Sequence, residues 1–586
     1  MERINPQFYT FEEFLQGRLF EIPDYQRAYS WTSRQRKDLF GDIKKLYSYS
    51  DYEDGDRTHF LATVVCCNKK IKEKHGTELF EVYDIVDGQQ RITTLIILLK
   101  SIHKKLELLN DNKYRKERNK LDELLVKDND NRLILIQTNH DSSLTLRNYI
   151  ISGKIIEKKK IQTLAEHNLY NAFNECEQFV DKWCEEYDIF ELLILIKHRL
   201  CFVFHELQNE STVYTVFEVL NSRGLEVDWI DKCKSMLIGT AYESFATEQD
   251  TLSNTLKYLH KYWGMIYRTI GIKEIPGSEI LRFAATLYST DEQSRIMKPE
   301  DAIDYFRSII KQSPSKVVDI SKWLLDVANE LNSIYSNPRL TAVTDIIHAR
   351  LVVVAINLSE HFNDKEKKIL TKQWEKVTFR IFGLYQRDSR TKVGEYTRLA
   401  HKIMGLRDDK VYINDDGRVK EIYRELVKIG QEFPATGIAK ALEDADCYNG
   451  WAQEARYFFY CYEKYLCKEK EYSFAKTWWD SIWESSVQDS IEHIYPQVEN
   501  AEWKGKVPRK KEYNANRIGN LLILPIKLNK KLQNYRFEIK KKEYNDTPMK
   551  SAQELTEYDD WTTATIAERT NKLLAWAQKE WDDIKL

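Results

Sequence analysis

Glu492 and His493 stand side by side in Ser490-Ile491-Glu492-His493-Ile494-Tyr495-Pro496-Gln497, and Asn520 and Asn529 follow downstream. An acid beside a histidine at the end of a short apolar strand, with two asparagines beyond it, suits one-metal hydrolysis of a phosphodiester. That reaction needs a base to activate water, a hold on the scissile phosphate, and relief for the charge that grows on the leaving oxygen. A divalent metal can supply the last two. His493 is the candidate general base, because an imidazole titrates near the working pH. Glu492 offers Mg²⁺ a hard carboxylate and Asn529 a neutral amide oxygen. Mg²⁺ takes few protein ligands and completes its shell with water and phosphate. Asn520 is expected to bond the strand–helix connection and orient His493. The bland alternative is an ordinary polar pair at a strand edge. Pro496, the Asn520-Leu521-Leu522-Ile523-Leu524 run and the nine-residue step to Asn529 favour the catalytic reading.

The charge around this motif points the same way. From Lys504 to Glu543 thirteen basic residues face three acidic ones, a local +10 in a chain of formal net charge −2. The whole molecule is therefore not a general polyanion binder, and any nucleic-acid contact must come from a patch. Lys510, Lys511, Arg517, Lys530 and Lys531 are the candidate DNA-phosphate contacts. Such contacts are salt-sensitive and largely indifferent to sequence.

A second constellation lies near the start, in Val86-Asp87-Gly88-Gln89-Gln90-Arg91-Ile92-Thr93-Thr94-Leu95. A strand ends, a glycine turns, and a helix begins. The turn leaves backbone N–H groups at a helix N-terminus, which favours an anion. Arg91 adds a bidentate phosphate contact. Asp87 can orient a metal or a water, and Gln89 and Gln90 bring amides. An Asp-Gly turn is more often only a turn. The chain has no GxxxxGK[ST] signature, which excludes a P-loop NTPase. Tyr25, Tyr29 and Trp31, in Ile22-Pro23-Asp24-Tyr25-Gln26-Arg27-Ala28-Tyr29-Ser30-Trp31, serve either a core or a pocket, and the sequence leaves both open.

The elements that must position these groups are legible in outline. Tyr9–Leu15 reads as a short helix with Thr10 as N-cap. Phe60–Cys67 and Phe80–Val86 read as strands, Thr93–Leu109 as a long helix, and 110–130 as an exposed charged stretch. Leu200–Leu207 reads as a strand, Thr212–Leu220 as a helix stopped at Gly224, and Asp228–Leu237 as a helix start. From about 240 to 470 only helical spacing is evident, in segments such as Ala302–Lys311, Val317–Ile334 and Ala342–Leu358. A chain of 586 residues exceeds one hydrophobic core, and 20 Gly and 11 Pro leave little room for long disordered tracts. Nine scattered cysteines without a CxxC pair support neither a zinc ribbon nor a thioredoxin-like site. With no apolar leader at the start, they point to reduced thiols in the cytoplasm. No apolar run reaches membrane-spanning length.

Glu492-His493-Ile494-Tyr495-Pro496-Gln497, with Ile518-Gly519-Asn520-Leu521-Leu522-Ile523-Leu524 and Leu528-Asn529-Lys530-Lys531, resembles the HNH nucleases of the His-Me finger class. In particular it resembles the C-terminal nuclease domain of GmrSD-type restriction proteins. The resemblance implies His493 as base, Asn529 as metal ligand, and Glu492 in the acidic ligand place. The segment Ile22–Trp31, the DGQQRITTL run, and Phe217-Glu218-Val219-Leu220-Asn221-Ser222-Arg223-Gly224 with Asp231 and Lys234 resemble the N-terminal domain of the same family. That implies a ParB-like fold that binds and hydrolyses nucleoside triphosphate. Asp87, Gly88, Gln89, Gln90 and Arg91 then belong to the nucleotide site, lined by Gln26, Arg27, Asn221 and Arg223.

The expected fold is α+β and mostly helical. It has a ParB-like α/β domain over 1–240, a helical connecting region over 241–470, and an HNH domain of the ββα-metal kind, embedded in helices, over 471–586. The expected function is NTP-dependent, Mg²⁺- or Mn²⁺-dependent nicking or cleavage of modified phage DNA, as in type IV restriction and bacterial anti-phage defence. The triphosphate is GTP, UTP, CTP or ATP, and a homodimer is left open. Two rivals stay open: a modified-DNA sensor whose output is NTP hydrolysis, and a toxin-like nuclease acting on unmodified nucleic acid.

Overall fold

A computed structural model describes residues 6–23, 26, 28–48, 58–109, 111–127, 132–137, 143–207, 228–271, 275–291, 293–343, 345–405, 415–507 and 514–585. Arg27, Asn221, Arg223, Lys510 and Lys511 lie outside the described residues, as do Tyr25, Gly224 and the helix expected over Thr212–Leu220. The chain forms two compact units. One holds 1–282 and 298–329, the other 283–297 and 330–586. The stretch 241–470, expected as one connecting region, is shared between them.

The first unit is built on a mixed sheet. Its strands are β1 (Gln7–Thr10), β2 (Arg18–Ile22), β3 (His59–His75), β4 (Glu78–Asp87), β7 (Leu135–Gln137) and β8 (Leu200–Leu207). A separate two-residue ladder joins β5 (Val126–Lys127) to β6 (Arg132–Leu133). The sheet order is β1-β8-β3-β4-β2-β7. The pairs β3/β8, β2/β4 and β2/β7 are parallel, and β1/β8 and β3/β4 are antiparallel. In β8, Leu200, Phe202 and Phe204 are buried while the residues between them are partly exposed, the period of two that a sheet with one packed face imposes. The helix Gln89–Leu109 carries an apolar run, Leu95–Leu99, that is buried on every side. It packs against Asn112–Leu125 and Leu164–Glu186. Phe40 on Phe179 and Tyr149 on Phe173, stacked at 4.4 and 4.0 Å, fill the same core.

Thr10 caps a helix, in a reciprocal capping box with Glu13, but that helix starts at Phe11 and Tyr9 belongs to β1. The stretch expected to be exposed beyond 110 contains the helix Asn112–Leu125. Its polar face is wet, while Leu121 and Leu125 reach the core.

The second unit is mainly helical. Within it, β9 (Ile491–His493) pairs antiparallel with β10 (Leu521–Ile523), placing Leu521 opposite His493 and Leu522 opposite Glu492. The helix Ile526–Leu532 follows β10 directly. Behind this hairpin runs the helix Thr563–Glu580, whose buried Arg569 donates to the carbonyls of Gly519 and Leu521, both at 2.7 Å. The contact is close enough to demand glycine. A Cβ on Gly519 would meet the Ile566 carbonyl oxygen and the Thr570 hydroxyl, and would lie 2.8 Å from the Thr570 nitrogen. The fold is thus α+β and mostly helical. Among the described residues no helix is long and apolar enough to cross a membrane.

Candidate active site

His493 ends β9, with the ring nearly buried at 9% exposure. Its Nε2 lies 3.1 Å from Oδ1 of Asn516. Asn516 in turn donates Nδ2–H to Oδ2 of Asp446 at 3.0 Å. The Tyr448 ring stands edge-on to the imidazole, with centroids 4.7 Å apart. Among the described residues nothing hydrogen-bonds Nδ1. Burial pushes the His493 pKa down to about 4, against the opposing pull of the Asn516 bond. The ring is therefore neutral near pH 7, the state a base requires. Burial acts to raise the Asp446 carboxyl, but bonds from Asn449, the Tyr448 N–H and Asn516 outweigh it and hold it below the usual carboxylate range.

Glu492 projects away from that ring, as neighbours on a strand must. Lys540 Nζ donates to its Oε1 at 2.7 Å, and the Tyr544 hydroxyl donates to the same oxygen at 2.9 Å. Lys540 also donates to the His493 carbonyl at 2.8 Å, so one ammonium ties both residues of the motif. Burial raises the Glu492 pKa and lowers that of Lys540, and each charge opposes the shift of the other. The carboxylate expected to ligate a metal is thus engaged by Lys540 and Tyr544. A divalent cation there would compete with a buried ammonium, and among the described residues no group of three or more His, Cys, Asp or Glu is placed to hold a metal ion. Asn529 donates Nδ2–H to the carbonyls of Asp489 and Ile491 at 2.9 and 3.0 Å, which leaves Oδ1 without a hydrogen bond among the described residues. One amide oxygen without a carboxylate is not the expected ligand pair, and these residues do not fit the cation as assigned.

Asn520 is fully buried and makes no hydrogen bond to the imidazole. Its Oδ1 accepts from the Tyr495 N–H at 2.8 Å and from Trp561 Nε1 at 2.9 Å. Its Nδ2 donates to the carbonyls of Tyr495 and Ala515. It braces the chain after His493, while Asn516 holds the ring. Sequence reading missed Asp446, Tyr448, Asn516 and Lys540. Only Asn516, four residues before Asn520, sits where a motif-centred reading would look.

Of the predicted DNA contacts that are described, Lys530 is exposed and forms no ion pair among the described residues. Lys531 pairs with Glu543 at 2.7 Å on the surface. Arg517 is engaged: its guanidinium donates to the Glu443 carbonyl at 3.1 and 2.8 Å.

In the first unit, Gly88 turns the chain from β4 into the helix Gln89–Leu109 with φ +93°. A Cβ there would sit 3.0 Å from Val64 Cγ2, so both conformation and space call for glycine. The three glutamines are buried and turned inward. Gln26 donates to the Val86 carbonyl at 2.6 Å, and Gln89 donates to Gln26 Oε1 at 2.8 Å. Gln90 accepts from the Ser30 N–H at 2.9 Å and donates to the Ala28 carbonyl at 3.1 Å. The amides expected to meet a ligand instead strap the Gln26–Ser30 segment to the turn. Arg91, half-buried, makes no side-chain hydrogen bond or ion pair among the described residues. Asp87 sits half-buried at the end of β4. Tyr29 and Trp31 are core residues at 2% and 7% exposure, and the Tyr29 hydroxyl bonds Thr94 at 2.9 Å.

Two family models match this chain, and both describe restriction nucleases. The N-terminal domain of GmrSD restriction endonucleases matches residues 11–238, and the C-terminal domain matches residues 436–576. Together they span more than half of the chain, which belongs to the GmrSD restriction endonuclease family. The second match begins upstream of Asp446, so it holds Asp446, Asn516 and His493 alike. A search of curated proteins found no match.

Proposed function

We propose that the chain is a DNA endonuclease whose second unit hydrolyses phosphodiesters through an HNH-type site centred on His493. The observation that carries this reading is a nearly buried imidazole at the end of β9, with Nε2 held by Asn516 and Nδ1 unbonded among the described residues. Water attacks phosphorus while Nδ1 takes its proton, and the bond from phosphorus to the leaving sugar oxygen breaks. The proton then returns from imidazolium to the leaving group or to solvent. Lys540 holds the His493 carbonyl and Asn520 the backbone of Tyr495 just beyond it, and Lys530 offers an exposed ammonium on the following helix. A divalent cation such as Mg²⁺ or Mn²⁺ would supply charge stabilisation, but Glu492 is not the residue to hold it.

In the same reading the first unit senses modified phage DNA and gates cleavage through a nucleoside triphosphate. Two features support an anion site at the Asp87–Arg91 turn: the positive φ of Gly88 opening a long helix, and an Arg91 guanidinium unengaged among the described residues. The recognised phosphate would meet backbone N–H groups and Arg91, since the glutamine amides are used internally. The test is cleavage of glucosylated-hydroxymethylcytosine, phosphorothioate and plain DNA by wild type and His493→Ala, with and without each triphosphate. Loss of cleavage in the variant supports the reading. Undiminished cleavage overturns it, and equal rates on plain and modified DNA would favour a toxin-like nuclease.

A further inference from the structure

Asp446 and Asn516 lie on segments far apart in sequence that meet at the His493 ring. The Cys447 N–H donates to the Asn516 carbonyl at 2.9 Å, which pins the two segments together beside the imidazole. Asp446 also closes a turn: Oδ1 accepts the N–H groups of Tyr448 and Asn449 at 2.9 and 2.8 Å. That turn sets Tyr448 against the ring. The remaining oxygen, Oδ2, accepts from the side-chain amides of Asn449 and Asn516 at 2.9 and 3.0 Å.

Chemistry then dictates the direction of every proton along this line. An ionised carboxylate can only accept, so the Asn516 amide must present its NH₂ to Asp446. Its carbonyl oxygen is thereby turned to His493, and it too can only accept. The ring nitrogen facing it, Nε2, must carry the proton. In a neutral imidazole one nitrogen is N–H and the other a lone pair, so the lone pair sits on Nδ1. We infer that Asp446, through Asn516, selects the His493 tautomer that leaves Nδ1 able to accept a proton, and that both are positioning residues for the cleavage reaction. This rests on His493 being the base.

The inference separates from a purely structural role by an exchange of groups. Asp446→Asn is isosteric and keeps the turn, because an amide oxygen can still accept the backbone N–H groups of Tyr448 and Asn449, while the Asn449 side-chain amide turns its oxygen to the new NH₂. It no longer forces the Asn516 amide one way round, so the flipped amide can donate to Nε2 and move the ring proton to Nδ1. In the double variant Asp446→Asn/Asn516→Asp, position 446 donates and position 516 can only accept. Nε2–H is then enforced again, with the same net charge. The experiment measures kcat and KM of the full chain on the three DNAs named above and on bis(p-nitrophenyl) phosphate with Mg²⁺ or Mn²⁺, and records Tm for each variant. Asp446→Asn is expected to lower kcat by at least about tenfold, bounded above by the roughly 10²–10⁴-fold that a positioned base contributes. KM should stay within about twofold and Tm should be unchanged, while the exchange variant recovers most of kcat. Wild-type rates in Asp446→Asn, or an exchange variant no faster than that single variant, would overturn the inference. His493→Ala is run beside them. If it stays active, or if the wild type hydrolyses none of the probes, the base assignment itself fails. If it is inactive while Asp446→Asn is not, only the positioning role fails.

Discussion

Glu492 and Lys540 form an ion pair inside the second unit, Oε1 to Nζ at 2.7 Å, with side-chain exposures of 3% and 0%. The pair anchors the strand end through the His493 carbonyl. Removing one partner strands a buried charge, which costs about 3–5 kcal/mol. Glu492→Gln is therefore predicted to lower Tm strongly, whereas Glu492→Leu/Lys540→Met is predicted to recover much of the loss. Thermal unfolding of the three proteins checks this. A stable Glu492→Gln whose cleavage needs far more Mg²⁺ would instead return Glu492 to the metal.

The His493 pKa predicts the acid limb of the rate profile. A free imidazole protonates near 6.5, but the buried ring holds off to about 4. As pH falls from 7 to 5 the folded ring stays neutral and the base is retained. Cleavage by the free enzyme should decline only toward pH 4. Stability moves with opposite economy: the unfolded chain takes the proton near 6.5 and the folded one does not. Falling pH between those values thus costs stability, up to about 3 kcal/mol. A kcat/KM profile with its acid limb near 6.5 would contradict the burial argument.

Gly519 is predicted to tolerate no side chain. Gly519→Ala sets a methyl against the backbone of Ile566 and Thr570, a form of overpacking that costs about 1–3 kcal/mol. The Arg569 bonds to Gly519 and Leu521 loosen with it. Hydrogen exchange should show earlier opening of β9 and β10 than in the wild type, and unchanged protection would remove the clamp from the account.

At the first site, structure and recognition are predicted to come apart by residue. Gln26→Ala unpairs the Val86 carbonyl and Gln89, at about 1–3 kcal/mol for buried groups left unsatisfied. Arg91→Ala removes no described bond, so it should leave Tm alone while weakening triphosphate binding. Calorimetry with GTP, UTP, CTP and ATP, beside thermal unfolding, distinguishes the two. Equal triphosphate binding by Arg91→Ala and wild type would move the site elsewhere.

Local patterns were legible where one residue type answers one local demand. Leu200–Leu207 forms a strand with the bounds its alternation suggests, and Thr10 caps its helix. The hairpin and helix around His493 follow from two apolar runs and a proline. Less legible was anything set by distant pairing. Lys540 looked like one more cation of a basic surface, yet it is buried under Glu492. Gln26, Gln89 and Gln90 looked like ligand groups because a sequence shows amides but not their backbone partners. Asp446 could not be found at all, since only folding brings its turn to Asn516.

The most direct measurement is single-turnover cleavage of the best-cut modified DNA by His493→Ala, with Tm recorded to show that the variant is folded. The expected result is a folded protein that binds DNA and loses at least about 10²-fold in rate. A folded His493→Ala that cleaves at the wild-type rate would contradict it.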